Sequence, residues 1–469
     1  MHKLKSLNNN MAMKENHQNE LNRREFLKRL GVTSASAALF MGLGPLSAFG
    51  REERQKIIVS NDMTYRINRK TGDKVSLLGY GMMRLPQKNG QIDQQLVNEE
   101  VKYALEHGVN YFDTSPHYQR DKSESSLGIA LKESGFDRKS YYIATKLSNF
   151  GQQEWSYEAS VNMYRNSLKF LQTDYIDYYL LHGVGGGGMQ QLKSRFFDNG
   201  VMDFLMEERA AGRIRNLGFS YHGDVEVFEW LLENTEKYGW SFAQIQMNYV
   251  DWKHAKDINR RNTNAEYLYG LLEKHDVQGV IMEPLLGGRL ANLPEVFAKP
   301  LKQMRPDDSP AAWGFRFCGT HPNILVSLSG MTLMEHLVDN VKTHSPLNPC
   351  SQKELALLEE VAQKMVTYPL IPCTDCKYCM PCPYGVDIPA NFAFYNKCLN
   401  EDKLPPADKG ASDYKKKLKT FQKGYKKALK PSELASQCME CRECVSKCPQ
   451  RIQIPNQMTR LTELLERKV

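Results

Sequence analysis

Nine of the chain's eleven cysteines lie between Cys373 and Cys448, and their spacing is regular. One run reads Cys438-Met-Glu-Cys441-Arg-Glu-Cys444-Val-Ser-Lys-Cys448-Pro449. Three thiolates separated by two residues each can wrap one face of an iron–sulfur cube. A proline after the fourth cysteine turns the chain away, so that this last thiol points to a neighbouring cluster. Upstream, Cys373-Thr-Asp-Cys376-Lys-Tyr-Cys379-Met-Pro-Cys382-Pro383 has nearly the same pattern, with one residue fewer before its last cysteine. The flanks repeat too: Tyr384-Gly-Val-Asp-Ile-Pro389 follows one run and Gln450-Arg-Ile-Gln-Ile-Pro455 the other. Eight thiolates suffice for two [4Fe-4S] clusters. Paired cysteines at this spacing also bind zinc, but the triple spacing with a trailing Cys-Pro favours iron–sulfur. Cys398 stands among Phe392, Phe394 and Tyr395 with no spaced partner and reads as a buried thiol. A disulfide scaffold is excluded, because such scaffolds are short.

The two runs resemble those of bacterial two-cluster ferredoxins. That resemblance implies crossed ligation, with Cys373, Cys376, Cys379 and Cys448 holding one cluster and Cys438, Cys441, Cys444 and Cys382 the other.

A second set of reactive side chains lies upstream, where short apolar runs alternate with amphipathic helical stretches. Candidate strands cover 77–81, 109–112, 141–145, 176–180, 214–218, 243–246, 279–282 and 324–327, with helix-like stretches at 94–106, 157–170, 225–234 and 333–343. Eight strand–helix units predict an α/β fold of the (β/α)8 barrel type rather than an open doubly wound sheet. The segment from Tyr65 to Val75 reads as a hairpin about Thr71-Gly72-Asp73 that could plug the barrel floor. Chemistry in such a barrel belongs at the C-terminal strand ends. There stand Asp113 with Tyr118 five residues on, Lys146, and His182. Singly these are ordinary loop and edge residues, but four ionisable groups on three successive strands form a constellation.

At this point the sequence resembles the aldo/keto reductase family. The resemblance lies in Phe-Asp113-Thr-Ser-Pro-His-Tyr118, Glu124-Ser-Ser-Leu-Gly128, Ile-Ala-Thr-Lys146, Leu-Leu-His182, Gly212-Arg-Ile-Arg-Asn-Leu-Gly-Phe-Ser220, and Ser329-Gly-Met331 through Asn340. It spans the whole barrel, and the fusion is similar to a subgroup with a two-cluster tail. It implies that Tyr118 exchanges a proton with a carbonyl oxygen, and that Lys146 lowers the tyrosine's pKa. Asp113 would hold Lys146 charged and oriented, and His182 would direct the substrate oxygen. It further implies a nicotinamide cofactor contacted by Ser220, Gln244 and Asn340. Tyr221 and Met282 depart from the family pattern, and Gly330, Met331 and His336 replace the cationic grip on a 2′-phosphate. Of NAD(P)H, NADH is therefore favoured. The glycine run 185–188 lacks the Lys-Ser/Thr ending of a phosphate loop and reads as a loop over the active-site mouth.

These motifs divide the 469 residues into a leader over 1–50, a barrel over 56–345, a linker helix within 346–371 and a cluster domain over 372–469. In the linker, Ser351-Gln-Lys-Glu354 is a capping box that opens a helix to about 366. The leader contains Arg23-Arg24-Glu-Phe26-Leu27-Lys28 and then a mild apolar run ending in small residues, which resembles a twin-arginine export signal and implies a periplasmic address. The alternative is an amphipathic first helix on a cytoplasmic protein. No apolar stretch is long enough for a transmembrane span. The chain carries a formal charge of +8, and the segment 403–430, with ten lysines against Asp408 and Asp413, holds an equal excess. Slight aromatic interleaving argues against nucleic acid. A solvated Lys-rich face is the simpler reading, and a docking face for an acidic redox carrier the sharper one. Two functions follow: an iron–sulfur oxidoreductase acting on a small carbonyl or alcohol, or an electron-transfer protein in which the barrel is a scaffold.

Overall fold

The structure, a computed structural model, describes residues 62–258, 262–368, 370–406 and 408–467. The paired arginines of the leader lie outside them. Eight parallel strands close into a barrel: β3 (Leu78–Gly81), β6 (Tyr111–Asp113), β7 (Tyr142–Leu147), β8 (Ile176–Val184), β9 (Ile214–Tyr221), β10 (Phe242–Gln246), β11 (Gln278–Met282) and β12 (Ile324–Ser329). β12 returns to β3 with Ser327 opposite Leu78, which completes the ring. A helix follows each strand, as parallel neighbours require a crossover. An example is Tyr157–Leu171 between β7 and β8, capped by Ser156 and burying Val161, Tyr164 and Leu171.

Each strand is buried on both faces. The barrel interior is filled by Tyr111, Tyr178, Phe242, Val280 and Val326, with the Tyr178 ring edge-on to Tyr111 at 5.0 Å and to Phe242 at 5.2 Å. Below them lies the predicted hairpin, β1 (Tyr65–Ile67) paired with β2 (Lys74–Ser76). Asn68 Nδ2 donates to Asn216 Oδ1 (3.0 Å) and to Tyr178 Oη (3.2 Å), while Tyr178 Oη and Asn216 Nδ2 both donate to Asp73 Oδ2 (3.0 Å). The floor is closed by polar groups that satisfy one another. Above β3 a short hairpin, β4 (Gln87–Lys88) with β5 (Gln91–Ile92), borders the mouth.

The helix Gln352–Thr367 opens on the Ser351–Glu354 capping box. It is fixed to the barrel by Arg305, which pairs with Glu354 at 2.5 Å, and by His254 Nε2 against Glu359 at 2.9 Å. Beyond it, helices Ile388–Asn400, Tyr414–Ala428 and Ile454–Glu466 enclose a separate core of Val386, Ile388, Phe392, Phe421, Tyr425, Ile454 and Met458. The repeated Ile-Pro flanks become equivalent helix starts, Ile388-Pro389 and Ile454-Pro455, where a proline's missing N–H costs nothing. Cys398 is buried in this core, as its aromatic surroundings suggest. Among the described residues no helix is long and apolar enough to cross a membrane.

Candidate active site at the barrel mouth

Asp113, Lys146 and His182 lie on three adjacent strands, β6, β7 and β8, at the end of the barrel from which the loops rise. Lys146 Nζ donates to Asp113 Oδ1 at 2.6 Å and to the Thr114 carbonyl at 2.8 Å, and Gln244 Nε2 donates to Asp113 Oδ2 at 3.2 Å. Lys146 is wholly buried and Asp113 almost so. Burial pushes the Asp113 carboxyl up and the Lys146 ammonium down, and the attraction between them opposes both shifts. Removing either partner would strand the other in a dry site.

Tyr118 follows β6, its ring partly open to the cavity. Lys146 Nζ lies 5.0 Å from the ring centroid. Here the structure differs from the expectation that Lys146 lowers the phenol's pKa. Burial, then the charges of Asp113 and Glu283, hold it well above its ordinary value, and Arg84 is the cation that opposes them. Tyr118 therefore keeps its proton at neutral pH, as a proton donor must.

His182 stands edge-on to Tyr118, with ring centroids 5.9 Å apart. Burial, then the positive charge of Lys146, keeps its pKa well below the ordinary value, so the ring is neutral. Ser148 Oγ lies 2.6 Å from Nδ1 and is itself 2.8 Å from Ser115 Oγ. With the Ser148 hydroxyl donating to Nδ1, the ring proton sits on Nε2, facing the cavity. Arg195 Nη2 donates to the His182 carbonyl at 2.7 Å and fixes the strand end. The sequence reading passed over Ser148, yet it stands two residues beyond Lys146, where strand alternation returns to the same face. Glu283, directly after β11, was visible by the strand-end rule that selected Asp113.

The three expected cofactor residues are all buried. Gln244 faces Asp113, Ser220 Oγ accepts from the Gly183 amide at 2.8 Å, and Asn340 Nδ2 donates to Ser329 Oγ at 3.0 Å. Gln244, Met282 and Gly330 line the same cavity as Tyr118, whereas Ser220 and Asn340 do not. The glycine loop borders its other side, held where Gly185 O accepts from Asp224 N at 2.9 Å.

The far wall is built from the cysteine-rich segment. Cys376, Tyr378 and Cys448 line the same cavity as Asp113, Tyr118 and His182. Arg84 Nη2 donates to the Thr374 carbonyl at 2.6 Å, which clamps the first cysteine loop to the barrel. In each cysteine run the residues on either side of the second cysteine have left-handed backbone: Asp375 and Lys377 in one, Glu440 and Arg442 in the other. For non-glycine residues this conformation is costly, and its repetition means that both loops curl alike, turning their thiols inward. Burial, then the charges of Cys376, Cys373 and Cys448, push the Cys379 thiol up to about 12. Burial, then Cys438, Cys441 and Cys382, push Cys444 up to about 11. Cys379, Cys382, Cys438, Cys441 and Cys444 border one cavity, whose remaining wall includes Val386, Ile388, Ile454 and Met458. Its sulfur donors and apolar lining fit an iron–sulfur cube. Among the described residues no three His, Cys, Asp or Glu side chains converge as a single-ion site.

Against known proteins, the family described as the aldo/keto reductase family matches residues 77–365, and the 4Fe-4S dicluster domain matches residues 372–453. The chain is 30% identical over 164 residues to L-galactose dehydrogenase of Arabidopsis thaliana, covering 35% of this chain and 50% of that one. It is 33% identical over 139 residues to glyoxal reductase of Bacillus subtilis, covering 29% and 44%. The chain thus spans half or less of the length of these curated relatives. The holo form of aldo-keto reductase AKR11C1 from Bacillus halodurans superposes with a TM-score of 0.51 at 23% identity, over 64% of this chain and 96% of that one, a likeness of fold.

The buried pair yields a stability test. Lys146→Met should destabilise the protein by about 3–5 kcal/mol in denaturant unfolding, because it leaves a buried carboxylate without its cation. Adding Asp113→Asn should recover most of that loss. A single variant as stable as the parent would show that the pair is not desolvated as described.

Proposed function

The chain belongs to the aldo/keto reductase family and carries a 4Fe-4S dicluster domain, and from that premise we propose that it interconverts a small carbonyl compound and its alcohol, with two clusters at the barrel mouth exchanging electrons with a protein partner. The observation that carries this reading is the shared cavity, which has Asp113, Tyr118 and His182 on one side and Cys376, Tyr378 and Cys448 on the other.

The eight cysteines in their two crossed groups would hold the clusters, and Gln244, Ser220 and Asn340 the nicotinamide cofactor. When bound, these groups supply one electron per cube and a hydride, respectively. The protein's own contribution is to position the substrate and to move a proton. The His182 Nε2–H donates to the substrate oxygen and aims it at Tyr118. The Tyr118 O–H bond breaks as the proton passes to that oxygen, and Arg84 steadies the phenolate that remains. Lys146 and Asp113 keep β6 and β7 in register beneath the tyrosine. NADH is favoured over NADPH because Gly330, Met331 and His336 offer no cationic fork to a 2′-phosphate.

Tyr118→Phe should lower carbonyl reduction by about 100-fold or more while the fold is kept, since it removes the proposed proton donor and keeps the ring. Undiminished turnover would remove this mechanism and leave the barrel as a scaffold for electron transfer.

The partner proposed is an acidic electron-carrier protein. Helix Tyr414–Ala428 turns Tyr414, Leu418, Phe421 and Tyr425 inward and leaves Lys415, Lys416, Lys419, Lys423 and Lys426 exposed on one rigid element. The Tyr425 hydroxyl accepts from the Ala435 amide at 2.8 Å, three residues ahead of Cys438, so the inward face of the same helix packs beside the second cysteine loop. Reduction of the clusters by flavodoxin should slow about tenfold as ionic strength is raised well past 0.1 M. A salt-independent rate would make the lysines a solvated surface only.

Export by the twin-arginine route completes the reading, supported by the string at Arg23 and Arg24. Replacing both with lysine should confine the protein to the cytoplasm, as read by fractionation. Equal amounts of variant and parent beyond the inner membrane would refute the address.

A further inference from the structure

Beside the first cysteine loop, the barrel buries a cation that its own side chains do not satisfy. Arg289 follows the turn Leu286–Gly288 after β11, and its Nε and Nη1 are buried without a hydrogen-bond partner. Burial pulls its pKa down, and the charges that oppose this are Asp251, Tyr249 and Cys373. Asp251 Oδ2 is already taken by the amides of Gln246 (2.7 Å) and Asn248 (2.6 Å). Cys373 is the one member of that set with a place in a metal-ligating run.

The turn that carries Arg289 presses directly on that run. Gly287 has φ +67°, and a Cβ there would meet Thr374 Cβ at 2.3 Å, so no side chain separates the two loops. Arg84 grips the carbonyl of the same Thr374 from the other side. Arg84 and the turn that leads into Arg289 therefore meet at the residue that follows Cys373.

We propose that Arg289 is an outer-sphere cation for the cluster held by Cys373, Cys376, Cys379 and Cys448, its unpaired N–H groups serving sulfur of that cluster and raising its reduction potential. The inference rests on the reading that those cysteines ligate a four-iron cube. Ligation strips the proton from each thiol, so the site is anionic before any electron arrives. Reduction adds one electron and makes or breaks no bond, so it deepens the negative charge. A fixed cation with N–H donors in a buried site favours the more negative state, and such groups tune cluster potentials. Among the described residues the second cysteine group has no equivalent buried arginine. The cations bordering its cavity, Arg442 and Lys447, are exposed to water, which screens them.

The test is an anaerobic redox titration of the full chain with dithionite, followed by electron paramagnetic resonance, on the parent, Arg289→Gln and Arg289→Lys. Parent protein should hold about eight irons and eight sulfides, and their absence would sink the cluster reading itself. With both clusters present, Arg289→Gln should shift one cluster's reduction equilibrium about tenfold toward the oxidised form, roughly 59 mV for a one-electron couple, and leave the other unmoved. Arg289→Lys keeps the charge but not the planar fork and should recover part of the shift. No shift, or the same shift in both clusters, overturns the proposal. If Arg289→Gln loses one cluster, retention in Arg289→Lys supports the cationic role, and loss in both assigns Arg289 to packing.

Discussion

A carboxylate and an ammonium 2.6 Å apart in the dry top of the barrel set the terms for everything around them. Neither Asp113 nor Lys146 could stay charged there alone, since desolvation works against both. The pair stabilises little, because most of its attraction offsets the cost of leaving water. What it provides is orientation. It pins β6 to β7 at the point from which Tyr118 rises, takes the amide of Gln244 as a third member, and places a positive charge near enough to His182 to keep that ring neutral.

The cysteine-rich domain adds a wall that an isolated barrel would lack. Its first loop is held by Arg84, is pressed against Gly287, and contributes Tyr378 to the cavity that contains Tyr118. A barrel mouth is ordinarily closed by its own βα loops, which vary freely because they bear little of the fold. Here part of the closure comes from backbone curled by repeated left-handed residues around a set of thiols. The geometry of the substrate cavity is thereby tied to whatever fills the thiol site, since a loop with strained residues holds its shape only when its surroundings fix it.

Much of this was legible in the chain. The cysteine spacing carried its own geometry, because three thiols two residues apart can converge only if the loop curls, and the loops at Asp375–Lys377 and Glu440–Arg442 do curl. The eight barrel strands announced themselves as short apolar runs, and the Asn68–Asp73 turn lay where a floor plug was predicted. The electrostatic partner of Tyr118 was not legible. Strand order made Lys146 the natural candidate, and only three dimensions show Asp113 engaging the ammonium while burial and the charges of Asp113 and Glu283 act on the phenol. Tyr378 was hidden for a related reason: a residue between two ligating cysteines reads as a spacer until the fold lays it against a different domain.

That distribution of charge has a consequence for how the two halves communicate. The charges of Arg84 and Glu283 act on Tyr118, on Tyr378 and on Cys376 alike. Burial raises the pKa of the Glu283 carboxyl, and Arg84 and the Gly287 amide oppose that shift. A change of charge at Tyr118 alters the energy of a charge at Cys376, and the reverse holds equally, because an interaction free energy is reciprocal. No moving part is needed for such coupling. It follows from placing Arg84 and Glu283 on the same cavity as Tyr118, Tyr378 and Cys376.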